Sequence, residues 1–228
     1  RRALHLPSRC RGAVAHAGHP AHTVSLVRSA AHYDRAYFDK WYRHPKHRVK
    51  SAQYLARQAA FVLGAAEYLL DRRVASVLDV GAGEGNWRGV LRRLRPGLRY
   101  YGVDPSEYAV RRFGRRRNIQ LGSLGTLGKL RLPSAFDLIL CCGVVNYVPD
   151  RELPAGLRTL RMLARGPIYL EIFAREDDAE GDFHRREAKS AAWYRRAIRK
   201  ADLVACGMHF YLPRELEQLA SVLERARE

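Results

Sequence analysis
Short, mostly apolar runs stand at residues 74–80, 98–104, 136–143 and 167–173. Runs of this length form strands buried on both faces of a parallel sheet. Between them, apolar residues recur at the three-and-four spacing that gives a helix one buried side. Residues 50–70 show it through Leu55, Phe61, Val62 and Leu69, and residues 187–200 through Trp193, Tyr194 and Ile198. Residues 87–94 and 153–163 read the same way. Residues 106–115 add a start signal, with Ser106 as N-cap and Glu107 in the first turn, where a negative charge suits the helix dipole. Residues 118–121 read as a short third strand, 203–212 as one late strand, and 213–227 as a closing helix. Strands and helices alternate, which predicts a doubly wound, mostly parallel α/β sheet with helices on both faces. Six strands are counted this way.

The first strand breaks into a turn with glycine at every second position: Gly81, Gly83 and Gly85, separated by Ala82 and Glu84. A strand that ends in such a turn and opens a helix brings backbone N–H groups close to a ligand, because glycine has no Cβ to hold it off. A dinucleotide fingerprint, G-x-G-x-x-G, needs its third glycine at position 86, which is Asn86. The pattern here is G-x-G-x-G, with Asp79 two residues ahead of it. The next strand ends in Asp104, 21 residues after Gly83, where a carboxylate can accept both hydroxyls of a ribose.

These residues resemble the first two motifs of the class I S-adenosylmethionine (SAM) methyltransferases. The resemblance covers roughly residues 31–212. It implies a Rossmann-like fold whose sheet has seven strands, the last two a hairpin, and SAM as cofactor with S-adenosyl-L-homocysteine as product. It assigns Asp79, Gly81, Ala82, Gly83 and Gly85 to the loop and the methionine amino group, and Asp104 and Pro105 to the ribose. Ser123 and Leu124 fall where the family sets an acidic or polar residue against the adenine amine, so Ser123 or a backbone group must serve there. Residues 136–150, Phe-Asp-Leu through Val-Pro-Asp, resemble the fourth motif and place Cys142, Gly143, Val144 and Tyr147 beside the methyl-transfer site. Many small-molecule members carry a Tyr-Asp-x-x-Tyr-Phe segment ahead of the core as an aromatic lid, and residues 33–38 match it. Tyr33, Tyr37 and Tyr42 are then the lid residues, and aromatic faces attract a sulfonium cation. The D/N-P-P-aromatic motif of base-amine methyltransferases does not occur at residues 146–149, and no Pro-Cys nucleophile of the cytosine-C5 type occurs.

Domain organisation follows: residues 1–28 as a disordered or non-native extension, 29–72 as lid and helix, and 73–228 as the SAM-binding core. The extension carries five arginines, no acid and four loosely spaced histidines, His5, His16, His19 and His22. No apolar run approaches the ~18 residues of a membrane span. The net charge of +18 invites a nucleic-acid reading. Against it, lysine supplies only six of the 41 cations, and no lysine-rich run or RNA-binding signature occurs. The four cysteines lack metal-ligand spacing, and no metal site is expected. A reducing, cytoplasmic setting fits them.

An acidic stretch, Asp177, Asp178, Glu180 and Asp182, follows the fifth strand, with His184 beside it. His184 is the candidate general base, since its ordinary pKa is near neutrality, and Tyr147 is the candidate for orienting an acceptor. The reading is a SAM-dependent methyltransferase acting on a nucleophilic O, N or C atom of a small molecule. Two alternatives stand beside it: an RNA or protein methyltransferase using the basic surface, and a non-catalytic SAM-binding protein.

Overall fold
The computed structural model describes residues 33–178 and 189–225. The extension at 1–28, Glu180, Asp182 and His184 lie outside them. Seven strands form one sheet: β1 (Ser76–Val80), β2 (Arg99–Asp104), β3 (Ile119–Leu121), β4 (Leu138–Cys142), β5 (Ile168–Glu171), β6 (Leu203–Ala205) and β7 (Phe210–Pro213), in the order β3-β2-β1-β4-β5-β7-β6. The first five are mutually parallel, and β7 runs antiparallel to both β5 and β6.

Two expectations are corrected at the C-terminal end. Residues 203–212, read from their pattern as one late strand, form a hairpin, so the sheet has the seven strands that the resemblance implies and not the six counted from the pattern. Gly207, Met208 and His209 all take positive φ (79°, 51° and 67°) and reverse the chain inside an otherwise apolar run. The closing helix is a short 3₁₀ turn, Arg214–Leu219. Pro213 still pairs with Leu203 in the sheet, and the Arg214 N–H donates to the Asp202 carbonyl. The backbone is thereby tied to β6 where a helix would have to begin.

The helices are α1 (Arg35–Phe38), α2 (Ala52–Leu70), α3 (Asn86–Leu94), α4 (Glu107–Arg117), α5 (Leu153–Leu163) and α6 (Ala191–Lys200), with a π-helical turn, Asp39–Arg43, continuing α1. Their starts are set by side chains: Ser51, Ser106 and Ser190 each accept a bond from a backbone N–H three residues on. Asn118 ends α4 in the left-handed conformation.

Alternate residues of each strand feed two cores. Val77, Leu138, Leu140 and Tyr169 pack with Ala59, Val62 and Leu63 of α2 and Val90 and Leu91 of α3. Leu78, Val80, Ile139 and Ile168 pack with Leu157 and Leu160 of α5 and Ile198 of α6. At the N-terminal edge of the sheet, fully buried Asp137 accepts bonds from the Ala75 and Ser76 N–H groups and from Arg72 and Arg165, all at 2.7–3.0 Å. That edge is stapled shut, leaving the carboxyl ends of the strands to carry the site.

Candidate functional site
The glycine turn leaves β1 and doubles back over β2. The Gly81 and Ala82 N–H groups bond the Val103 carbonyl at 2.8 and 3.1 Å, and the Gly83 N–H bonds Asp104 Oδ2 at 2.6 Å. Asp104 Oδ1 accepts the Ser106 N–H at 2.8 Å. One carboxylate therefore fixes both the glycine turn and the start of α4. Each of its oxygens has a second lone pair for a further donor. Burial raises the Asp104 pKa to about 6, although its two backbone N–H partners pull the other way.

Asp79 lies beneath the turn and accepts the Tyr100 hydroxyl at 2.5 Å. Burial pushes it up to about 7, against the lowering effect of that bond. The structure thus places two acids of near-neutral pKa under one glycine turn, a perturbation that groups such residues with functional sites.

Above the turn sits the aromatic segment. Asp34 caps α1 by accepting the Tyr37 N–H at 2.9 Å. Tyr33, Tyr37, Phe38 and Tyr42 then form a chain of edge-on ring contacts with centroids 5.0, 5.5 and 4.9 Å apart. Side-chain bonds dock this segment to the core. Ser106 Oγ donates to the Tyr33 carbonyl at 2.5 Å, and Arg43 reaches both carboxylate oxygens of buried Glu84. Glycine is required where the aromatic segment approaches Gly83 and where the loop after β4 approaches Gly81. A Cβ on Gly83 would stand 2.7 Å from the Tyr42 hydroxyl oxygen, and one on Gly81 would stand 2.1 Å from Val144 Cγ2.

Between turn and aromatic segment lies a cavity of about 210 Å³. It brings together thirteen of the residues singled out from the sequence: Tyr33, Tyr37, Tyr42, Gly81, Gly83, Asp104, Pro105, Ser123, Leu124, Cys142, Gly143, Val144 and Tyr147. Asp79, Ala82 and Gly85 do not face it. Ala82 is buried beside Gly102, and Gly85 caps α3 against Ile119 and Arg117. His184 lies outside the described residues.

Sequence reasoning missed Phe38, Val148, Pro149 and Glu152, which also line the cavity. Glu152 matters most, because it sets a half-buried carboxylate in a cleft that shares its walls with Ser123. It precedes α5 and is held against the 3₁₀ turn Leu124–Lys129, where a Cβ on Gly125 would meet its Oε2 at 2.3 Å. Also unforeseen is a network at the ends of β4 and β5. Lys50 Nζ lies 2.8 Å from Glu171 Oε2, and Gln58 donates to Glu171 at 3.0 Å and to the Tyr169 hydroxyl at 3.1 Å.

Two further residues have their chemistry closed off. Asn146 is consumed structurally: its amide donates to the Phe173 carbonyl at 2.6 Å and the Tyr194 hydroxyl at 2.9 Å, and its oxygen accepts the Phe173 N–H. Burial drives the Cys142 thiol well above its ordinary pKa, with Glu171 adding to the shift, so it is not a thiolate nucleophile at neutral pH. Among the described residues, no group of three or more His, Cys, Asp or Glu side chains is placed to hold a metal. None of the described helices is long and apolar enough to cross a membrane.

A profile of the family described as a methyltransferase domain matches residues 26–223. The chain belongs to this methyltransferase family. Solved structures agree on the fold. Similar ones are DesVI from Streptomyces venezuelae (TM-score 0.57, 16% identity, 70% of this chain and 92% of that chain), and magnesium protoporphyrin IX methyltransferase from Synechocystis PCC 6803 with bound SAM (0.55, 20%, 82% and 90%). A third is 1,6-didemethyltoxoflavin-N1-methyltransferase from Burkholderia thailandensis, with its named compound and S-adenosylhomocysteine bound (0.53, 20%, 81% and 82%). No curated protein matches the sequence. The methyltransferase fold puts the glycine turn and Asp104 at the carboxyl ends of β1 and β2, where open α/β sheets take their ligands.

Proposed function
We propose that this protein transfers the methyl group of SAM to a nucleophilic O, N or C atom of a small molecule. One observation carries the reading: a glycine turn and the buried Asp104 carboxylate face a chain of four aromatics, with a cavity between. SAM suits this donor set. Asp104 takes the ribose hydroxyls, the Gly81–Gly85 turn admits the cofactor, and Asp79 steadies the turn from below. Glu152, beside Ser123 and Leu124, supplies the carboxylate that the β3 turn itself lacks. The two similar structures with bound SAM or S-adenosylhomocysteine support the cofactor, and the compounds they are named for support a small-molecule acceptor.

SAM supplies a methyl on a positively charged sulfur, and the acceptor's lone pair forms a bond to that carbon as the carbon–sulfur pair returns to sulfur. The chain's own task is alignment and exclusion of water. Residues 33–49 act as the lid, with Tyr33, Tyr37, Phe38 and Tyr42 closing the cavity, and Tyr147 orients the acceptor. The chain needs no dedicated base for an acceptor that is already nucleophilic. The free thiols Cys141, Cys142 and Cys206 are in keeping with a reducing cytoplasm.

Incubation with methyl-labelled SAM and cell extract, separated into small-molecule, RNA and protein fractions, tests the reading. Label in the small-molecule fraction is expected. Label confined to RNA or protein would reassign the acceptor, and no label despite SAM binding would make this a binding protein.

A further inference from the structure
A second concavity, of about 340 Å³, opens between α3 and β2 and shares no residue with the aromatic cleft. Three arginines line it. Arg88 and Arg92 stand one turn apart on α3, and Arg99 begins β2. Among the described residues, no carboxylate pairs with any of the three. Other arginines, such as Arg43, Arg72, Arg161 and Arg165, each sit within 3.0 Å of an acid.

Like charges one helical turn apart repel. The helix dipole disfavours a cation at Arg88, in the first turn of α3, and favours one at Arg92, in the last. Arg99 brings a third charge to the same groove, and no lining residue is acidic. The missing counter-charge is therefore sought outside the chain. Guanidinium groups present planar, forked donors that match phosphate oxygens in pairs. The neighbouring α4 extends the positive field with exposed Arg112, Arg115 and Arg116, which draws anions toward the groove.

We propose that this groove binds a phosphate-bearing ligand, with Arg88, Arg92 and Arg99 as its grips. A concavity of this size holds a small molecule with one or two phosphate groups. A nucleic-acid strand offers the same group, and the experiment separates the two sources. The site is independent of the methyl-transfer reading, since it lies outside that cleft.

The test is calorimetric titration of the full chain with inorganic pyrophosphate and, separately, with a twelve-nucleotide oligouridylate. The comparison is between Arg88→Gln/Arg92→Gln/Arg99→Gln and a charge control, Arg158→Gln/Arg196→Gln, which removes exposed arginines from α5 and α6. Thermal unfolding establishes that each variant is folded. Pyrophosphate should bind one to one, at least about tenfold more weakly in the triple variant and unchanged in the control. Tighter binding of the oligonucleotide with the same loss in the triple variant supports the site and makes a strand its phosphate source. Absence of binding of both probes overturns the proposal. So does equal weakening in both variants, which is the signature of a diffuse basic surface.

Discussion

Arg43 Nη2 lies 2.5 and 2.6 Å from the two carboxylate oxygens of Glu84, joining the π-helical turn of the aromatic segment to the middle of the glycine turn. Glu84 is nearly buried while Arg43 is half exposed. The bond spans 41 residues, so it holds tertiary structure rather than a local turn. It ties the aromatic segment to the glycine turn.

Removing the cation leaves a buried carboxylate unpaired. Arg43→Ala is expected to lower stability by about 1–2 kcal/mol, a value reduced by the exposure of the guanidinium. The lid should also open more readily. Stopped-flow release of SAM is expected to be several-fold faster, with a smaller change in association, since interface changes act mainly on dissociation. An unchanged release rate would detach Arg43 from lid closure.

Gly83 is held at φ 54°, and a Cβ there would press on the Tyr42 hydroxyl. Gly83→Ala should cost about 1 kcal/mol of stability from the backbone alone. SAM affinity should fall about tenfold as Tyr42 is displaced. Adding Tyr42→Phe removes the oxygen and should recover part of that loss, which a double-mutant cycle measures. Purely additive effects would place the cause elsewhere.

Asp79 and Asp104 are raised to about 7 and about 6 in the free protein. Asp104 lines the cavity, and its charged form is the better acceptor for ribose hydroxyls. Cofactor binding should favour its ionisation, lower its pKa and release protons near pH 6. SAM affinity should therefore weaken as pH falls from 8 to 5.5. Calorimetry in buffers of different ionisation enthalpy reads the released protons directly. A flat affinity with no proton release would contradict the assignment of Asp104.

At the opposite edge of the sheet the sign reverses. Burial would raise the Asp137 pKa, but Arg72, Arg165 and the Ala75 N–H together hold it far below the usual carboxylate range. Its contribution is fully present above the ordinary value of about 4 and is lost as pH falls through the lowered one. Asp137→Asn should cost about 2–3 kcal/mol at pH 7. The gap to wild type in denaturant unfolding should narrow below about pH 4. A gap independent of pH would mean that packing, not charge, is lost.

The parts of the site legible in the sequence are those built from a single strand–turn–helix unit. The spacing of Gly81, Gly83 and Asp104 is set by β1, α3 and β2, and the structure joins them by the Gly83–Asp104 bond. Residues placed by packing between distant elements left no such trace. Glu152 reaches the cleft because Gly125 and Gly156 let α5 press against the 3₁₀ turn. Lys50 and Glu171 meet across 121 residues. The β6–β7 hairpin escaped because Met208 and His209 adopt the left-handed conformation, which non-glycine residues disfavour. Charge was misleading in a different way. Arg88, Arg92 and Arg99 lie within twelve residues of the sequence, yet only the packing of α3 beside β2 shows that they share one groove.

The central claim is that SAM occupies the cleft between the glycine turn and the aromatic segment, held by Asp104. Calorimetric titration of the full chain with SAM at pH 8 tests it most directly, with Asp104→Ala in parallel and thermal unfolding as the check on folding. The account predicts one-to-one binding that Asp104→Ala weakens at least about tenfold, since hydrogen bonds to a charged group are worth about 1.5–3 kcal/mol. Equal affinity in the folded variant, or no binding by the wild-type chain, would contradict it.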